Sequence, residues 1–288
     1  MEEQASVVEH SEDLKRKGMS KLVTIKGEEI IEQDYWKELK AFTDARIALG
    51  RTGYSLPTGE MLEFSLAHAR AKDAVHLPFD KDTLKQKLGG MGLETIYVSS
   101  AAPNRTVYLT RPDLGRRLSE SARQHLIDLQ FAGADVAIVI GDGLSSKAVH
   151  KQSVPLIAHL LPYIKELDLS LAPIVLADQS RVALGDEIGQ LLKCKMVIML
   201  IGERPGLSSP DSLGMYLTWM PYVGRLESER NCISNIRPEG LGYAKAAFKL
   251  AWIIEHAFDV QMSGIRLKDQ SDDPASYKLI KPIPQLLK

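Results

Sequence analysis

The sequence predicts an α/β protein: a doubly wound, mostly parallel, Rossmann-like sheet preceded by a small N-terminal helical domain. Three observations carry that prediction. Between residues 135 and 201 an apolar run ends three times in a small or acidic residue, and helical periods separate the runs. Alternation of that kind implies parallel pairing through right-handed crossovers. The runs are also unbroken rather than alternating, as expected of strands covered on both faces. Before them, residues 34–74 repeat apolar side chains at helical spacing.

In chain order, residues 1–30 are charged with scattered apolar side chains and read as a flexible tail. The helical domain takes 31–92. Tyr35, Leu39, Phe42 and Ile47 recur at helical spacing, and Arg51-Thr52-Gly53 breaks the pattern. Thr58 then caps a second helix, with Met61, Phe64, Leu66 and Ala67 as its expected buried side.

The α/β domain takes 93–288. Thr95 to Ser99 and Thr106 to Leu109 read as short β-branched strands, and Leu114 to Leu129 has the helical period. The first long strand, Asp135 to Ile140, ends at Gly141-Asp142-Gly143 and feeds a helix through Ala148 to Leu161. The second, Pro173 to Ala177, ends at Asp178-Gln179-Ser180, with Val182 and a helix from Leu184 to Leu192 behind it. The third, Met196 to Ile201, ends at Gly202-Glu203-Arg204-Pro205-Gly206, so a carboxylate and a guanidinium stand where the backbone must turn. Ligands of open α/β sheets bind at that edge. A long loop carrying Tyr216, Trp219 and Tyr222 follows, of a length that serves a ligand or a partner. Cys232 to Ile236 reads as a further strand and Gly242 to Phe258 as a helix. The proline-bearing tail from Ile265 should wrap the surface or be loose.

The 288 residues carry 36 Lys and Arg against 37 Asp and Glu, a balance with no electrostatic footprint for nucleic acid or an anionic membrane. No window approaches the run of about 18 apolar residues that spans a bilayer, and the N-terminus lacks a signal-peptide core. The two cysteines, Cys194 and Cys232, form neither a disulfide framework nor a zinc spacing, which fits a reducing, cytoplasmic setting.

Gly141-Asp142-Gly143-Leu144-Ser145-Ser146 is a Gly-rich turn but neither a Rossmann fingerprint nor a Walker loop. It reads either as a strand-to-helix turn capped by Ser145 or Ser146, or as a contact to an amide or phosphate of a ligand. The histidines are scattered, so no metal ligand is assigned, and no nucleophile elbow occurs. No self-sufficient catalytic set is present, and no catalytic residue is assigned. A subunit that completes a cofactor site would look like this.

Several strings then coincide in order: LTRPDLGRRL (109–118), VIGDGLSS (139–146), SRVALGDEIGQLL (180–192), GERPGL (202–207), SPDSLGMY (209–216) and E-x-x-RNCISNI (227–236). With ARIALGRTG and FSLAHARAKDAV upstream, the sequence resembles the small (light) subunit of ethanolamine ammonia-lyase. That resemblance implies adenosylcobalamin as cofactor, a large barrel-fold subunit as partner in a higher hetero-oligomer, and radical conversion of ethanolamine to acetaldehyde and ammonia, with catalytic residues on the partner. It makes 93–288 a cobalamin-contacting domain and places corrinoid contacts on Val182, Glu203 and Cys232, with Arg204 and Asp142 as lesser candidates. A Glu at a strand end is otherwise commonly solvated or salt-bridged, here to Arg204, while Cys and Val are ordinarily packing residues. The D-x-H-x-x-G motif that replaces the cofactor's lower base is absent, which implies binding with dimethylbenzimidazole still on cobalt. In the family an N-terminal extension is linked to packaging in a bacterial microcompartment, and residues 1–30 are the candidate segment. Two rivals stay open: a stand-alone corrinoid- or nucleotide-binding module without catalysis, and an enzyme holding a divalent ion with Asp142, Asp178 and Glu203.

Overall fold

The computed structural model describes residues 31–283. The tail expected over 1–30, and any packaging role it has, lies outside the described residues. The chain divides into two compact units, one ending at Leu66 and one beginning at Ala67.

In the first unit Lys37–Phe42 is a 3-10 helix that buries none of its residues. Ion pairs tie this unit together, Lys40 with Glu60 at 3.2 Å and Arg51 with Glu32. Helix α1, Thr58–His76, begins here as expected, but of its four expected buried residues Ala67 alone is buried: Met61, Phe64 and Leu66 are about half exposed or more, at 55%, 48% and 51%. Ala67 and Ala74 are the buried residues of this helix. The helical period is real, yet Met61 and Leu66 stay about half exposed, while Arg46 lies over the Phe64 ring, 5.5 Å from its centre.

The second unit is α/β. Its elements are α2 (Lys81–Gly89), β1 (Thr95–Ser99), α3 (Arg105–Thr110), α4 (Glu120–Asp128), β2 (Ala134–Gly141), α5 (Ser146–Glu166), β3 (Ile174–Asp178), α6 (Leu184–Leu191), β4 (Cys194–Gly202), β5 (Leu213–Trp219), β6 (Arg230–Ile236) and α7 (Tyr243–Val260). The strands form one six-stranded sheet in the order β1-β3-β2-β4-β5-β6. Pairing is parallel from β1 to β4 and antiparallel for β4 with β5 and β5 with β6. The sheet is therefore mixed: the parallel expectation describes its first four strands, not its last two.

Side chains of β2 alternate between two cores. Val136, Ile138 and Ile140 pack with Leu156 and Leu160 of α5 and with Phe248 and Trp252 of α7. Ala137 and Val139 pack with Leu126 of α4 and with Leu184 and Ile188 of α6. Because both faces are covered, every position from Val136 to Ile140 is apolar, and each fully buried Ile or Leu contributes roughly 1.5–3 kcal/mol.

Three local expectations are corrected. Thr106 to Leu109 is helical, because the Asn104 side chain accepts from the Val107 N–H at 3.0 Å and starts a helix that buries Tyr108. A cap here overrides β-branched propensity, which is a weak preference. Leu114 to Leu129 is a 3-10 turn followed by a separate helix, restarted where Ser119 accepts from the Ala122 N–H at 3.2 Å. The long loop contains a strand, β5, pairing Leu217 with Ile198 of β4.

The C-terminal segment wraps the surface. Glu255 accepts from the Leu279 N–H at 2.7 Å, Tyr163 accepts from the Ile283 N–H at 3.1 Å, and Ile280 is fully buried. Among the described residues no helix is long and apolar enough to cross a membrane.

Candidate functional site

The carboxyl ends of β2, β3 and β4 lie together, and each is turned by a different device. After β2, Gly143 takes φ +56°, and a Cβ there would stand 2.3 Å from the Gly202 carbonyl oxygen, so only glycine fits. Ser145 then caps α5 by accepting from the Ala148 N–H at 3.2 Å, which is the capping role expected of this turn. After β3, Gln179 adopts a left-handed conformation (φ +52°), and the next residue, Ser180, donates its N–H to Asp142 at 2.8 Å. After β4, Glu203 turns into the loop, its N–H donating to the Ser212 carbonyl at 3.0 Å.

Asp142 is buried beneath these ends. Arg105 Nη1 donates to its Oδ2 at 2.8 Å, and Arg105 Nε donates to the Val75 carbonyl at 2.7 Å. Burial pushes the Asp142 carboxyl up to about 6, with the Arg105 charge only partly opposing it. Tyr108 donates its hydroxyl to the Ser180 carbonyl at 2.8 Å, and its ring lies between two guanidiniums, 4.8 Å from Arg105 and 4.3 Å from Arg181.

Above this layer an open pocket of about 430 Å³ is lined by Tyr108, Arg181, Val182, Glu203, Arg204 and Tyr216, among others. Two of the three expected corrinoid contacts, Val182 and Glu203, are therefore neighbours across one pocket. The Glu203 Oε2 accepts from Ser212 Oγ at 2.5 Å and from the Asn235 N–H at 3.2 Å. Its Oε1 has no hydrogen-bond donor among the described residues. Gly214 leaves the room for this side chain, since a Cβ there would stand 3.0 Å from Oε1. The expected competing salt bridge is absent: exposed Arg204 makes no ion pair with Glu203.

Cys232 does not line the pocket. It is exposed on β6, directly opposite Tyr216, which does. Desolvation around its thiol, with repulsion from Glu203, raises the Cys232 pKa, and the Tyr216 hydroxyl partly offsets this. Cys194, by contrast, is a core residue, pushed up to about 11 by burial.

Two sequence strings turn out to position these elements. Arg230 reaches Asp186 of α6 with two hydrogen bonds, 2.5 Å and 2.7 Å, and Glu227 at 3.1 Å. Glu187 accepts from the Leu118 N–H at 2.8 Å and from Arg123 Nε at 2.7 Å. The acidic pair of the LGDEIG string is thus structural, holding α6 and Val182 against the sheet. Among the described residues no group of three or more His, Cys, Asp or Glu is placed to hold a metal ion, which removes the basis for the three-carboxylate enzyme.

Over residues 33–268 the sequence matches the family Ethanolamine ammonia-lyase light chain (EutC). The chain belongs to this family. Among its relatives is an ethanolamine ammonia-lyase small subunit of Xanthomonas campestris pv. campestris (strain B100), 52% identical over 245 residues, 84% of this chain and 90% of the relative. One of Pseudomonas fluorescens (strain SBW25) is 51% identical over 253 residues, 84% and 91% respectively. A third, of Azotobacter vinelandii, is 51% identical over 240 residues, 82% and 89%.

In this light-chain family member, inspection of the sequence alone misses Arg105, Tyr108, Arg181 and Tyr216. Arg181 had a signal, lying one residue before Val182 in the SRVALG string. Tyr108 lies in the stretch expected to be a strand, Thr106 to Leu109, and Arg105 immediately precedes it.

The residues present fit a corrinoid's chemistry. A rim of amide N–H groups needs an acceptor that the protein has not used, and Glu203 Oε1 is one. The cofactor's acceptor oxygens need donors, and the Val182 N–H has no acceptor among the described residues.

Proposed function

We propose that this chain is the small subunit of an adenosylcobalamin-dependent ethanolamine ammonia-lyase, which converts ethanolamine to acetaldehyde and ammonia. The single observation that carries its part is the pocket at the strand ends, which is lined by Val182 and by Glu203, a side chain with one carboxylate oxygen unused. Glu203 accepts from the amide rim of the corrin, and Val182 lies beside it in the same pocket, its main chain turned to the cofactor. Cys232 offers surface on the adjoining strand through its place opposite Tyr216. Residues 93–288 form the cobalamin-contacting domain, and the cofactor lies between it and the large subunit.

The bound cofactor supplies radical chemistry by homolysis of its cobalt–carbon bond, while protein supplies binding, orientation and exclusion of water. No residue of the pocket forms a nucleophile–base pair, so the substrate-handling groups belong on the large subunit. A further support for that partner is the apolar surface of the first unit: Trp36, Phe42, Leu62 and Leu66 are 66%, 86%, 65% and 51% exposed. Apolar surface of this extent marks a protein interface. The expected site of action is cytoplasmic, and residues 1–30 are the candidate segment for packaging into a microcompartment.

The test is an acetaldehyde assay with this chain, a cognate large subunit, ethanolamine and adenosylcobalamin, omitting each in turn. Turnover that needs all four supports the proposal. If this chain neither associates with the large subunit nor restores turnover, the proposal is wrong and a stand-alone binding module replaces it.

A further inference from the structure

The pocket at the strand ends carries more positive charge than amide recognition uses. Two arginines, Arg181 and Arg204, line it against one acidic side chain, Glu203, and neither arginine is ion-paired among the described residues. Arg181 is held in place: its backbone N–H donates to the Gly115 carbonyl at 2.8 Å, and its Nη2 donates to the Tyr108 carbonyl at 3.3 Å. Its guanidinium carbon lies 4.3 Å from the centre of the Tyr108 ring, and its Nε is buried without any partner. A partly desolvated guanidinium with unused donors is costly until an anion arrives. Its planar fork is suited to phosphate oxygens.

The neighbouring backbone adds to this. The Val182 N–H has no acceptor among the described residues, and it sits just ahead of α6, where the helix dipole favours negative charge. The corrin amides are neutral. The group of a complete corrinoid that matches a fixed guanidinium beside a free N–H is the phosphodiester of its nucleotide tail.

We propose that Arg181, together with the Val182 N–H, holds the phosphodiester of the cofactor's nucleotide tail, an inference that rests on the cofactor assignment above. The Glu203 side of the pocket then meets the amide rim, and Arg204 adds long-range attraction at the mouth.

The test measures dissociation constants of the assembled two-subunit enzyme for three ligands: adenosylcobalamin, adenosylcobinamide phosphate and adenosylcobinamide, which lacks the phosphate. Arg181→Gln should weaken the first two by about tenfold or more and leave adenosylcobinamide unchanged. The unchanged ligand also reports that the variant folds and assembles. Arg181→Lys, which keeps the charge and loses the fork, should show an intermediate loss. Equal losses for all three ligands, or none, would overturn the phosphate assignment while leaving the cofactor assignment standing. If the wild-type complex binds none of the three, both are wrong. Arg181-dependent binding of inorganic phosphate to a complex saturated with adenosylcobalamin would show that the site takes a free anion, which also overturns it.

Discussion

Arg230 lies along the carboxylate of Asp186 with its two terminal nitrogens 2.5 and 2.7 Å from the two oxygens, and both side chains are almost wholly removed from water, at 1% and 2% exposure. The pair joins α6, which begins just after Val182, to β6, which carries Cys232. Taken alone, a buried pair is weak support for stability, since desolvation offsets the attraction. Breaking it is different. Asp186→Ala leaves the buried guanidinium with the largely exposed Glu227 as its remaining ion pair and should cost roughly 3 kcal/mol in denaturant unfolding. A loss below about 1 kcal/mol would mean that water reaches Arg230 and that the two elements are not locked by this contact.

Asp142 gives a pH dependence with a definite sign. Its carboxyl is pushed up to about 6 by burial, against an ordinary value near 4 in an unfolded chain. The native state therefore holds this proton more tightly, so the contribution is fully present below about pH 4 and is lost as pH rises through about 6. The loss is about 3 kcal/mol. Unfolding free energies at pH 4, 5, 6 and 7 for wild type and Asp142→Asn check it: the wild type should lose stability relative to the variant across that window. Parallel curves would place the Asp142 pKa near its ordinary value.

The first unit makes a prediction about assembly. Leu62 on α1 is 65% exposed, so replacing it removes little buried surface within this chain. Leu62→Asp should change the unfolding free energy of the isolated chain by no more than about 0.5 kcal/mol, as for ordinary surface substitutions. It should weaken association with the large subunit at least tenfold, because a carboxylate would be buried at an apolar interface. Analytical ultracentrifugation of the mixed subunits measures this. Unaltered association would move the interface elsewhere.

How much of this was legible follows from which forces are local. Strands β2, β3 and β4 could be read because both faces are covered and their central runs, 136–140, 174–177 and 196–201, are apolar throughout. β5 could not: its first residues follow Ser-Pro-Asp-Ser and include Gly214, and its identity as a strand rests on pairing with β4 rather than on its own composition. α3 was hidden because one Asn104 cap decides between helix and strand. Within the site, the strand-end position of Glu203 and the placement of Val182 after β3 were readable. The Arg105–Asp142 contact, 37 residues apart, was not, nor was the stacking of Arg181 on Tyr108. Those depend on where the sheet brings distant turns together.

Glu203 tests the pocket most directly. One carboxylate oxygen is engaged by Ser212 and the Asn235 N–H, which fixes the group, and the other is unused. A carboxylate accepting from an amide N–H is a charge-assisted hydrogen bond. Glu203→Ala should therefore weaken adenosylcobalamin binding to the assembled enzyme by roughly 1–3 kcal/mol. Glu203→Gln keeps an acceptor oxygen while losing the charge, so its loss should be smaller than that of the alanine variant. Ser212→Ala separates positioning from contact, since it leaves both Glu203 oxygens in place but removes the bond that orients them. It should show a partial loss in affinity that adding Glu203→Ala does not increase beyond the Glu203→Ala value alone, because residues in one hydrogen-bonded unit are not additive. Full additivity of the two losses would mean that Ser212 acts on the site independently of Glu203, and an unchanged affinity in Glu203→Ala would remove this carboxylate from the cofactor site.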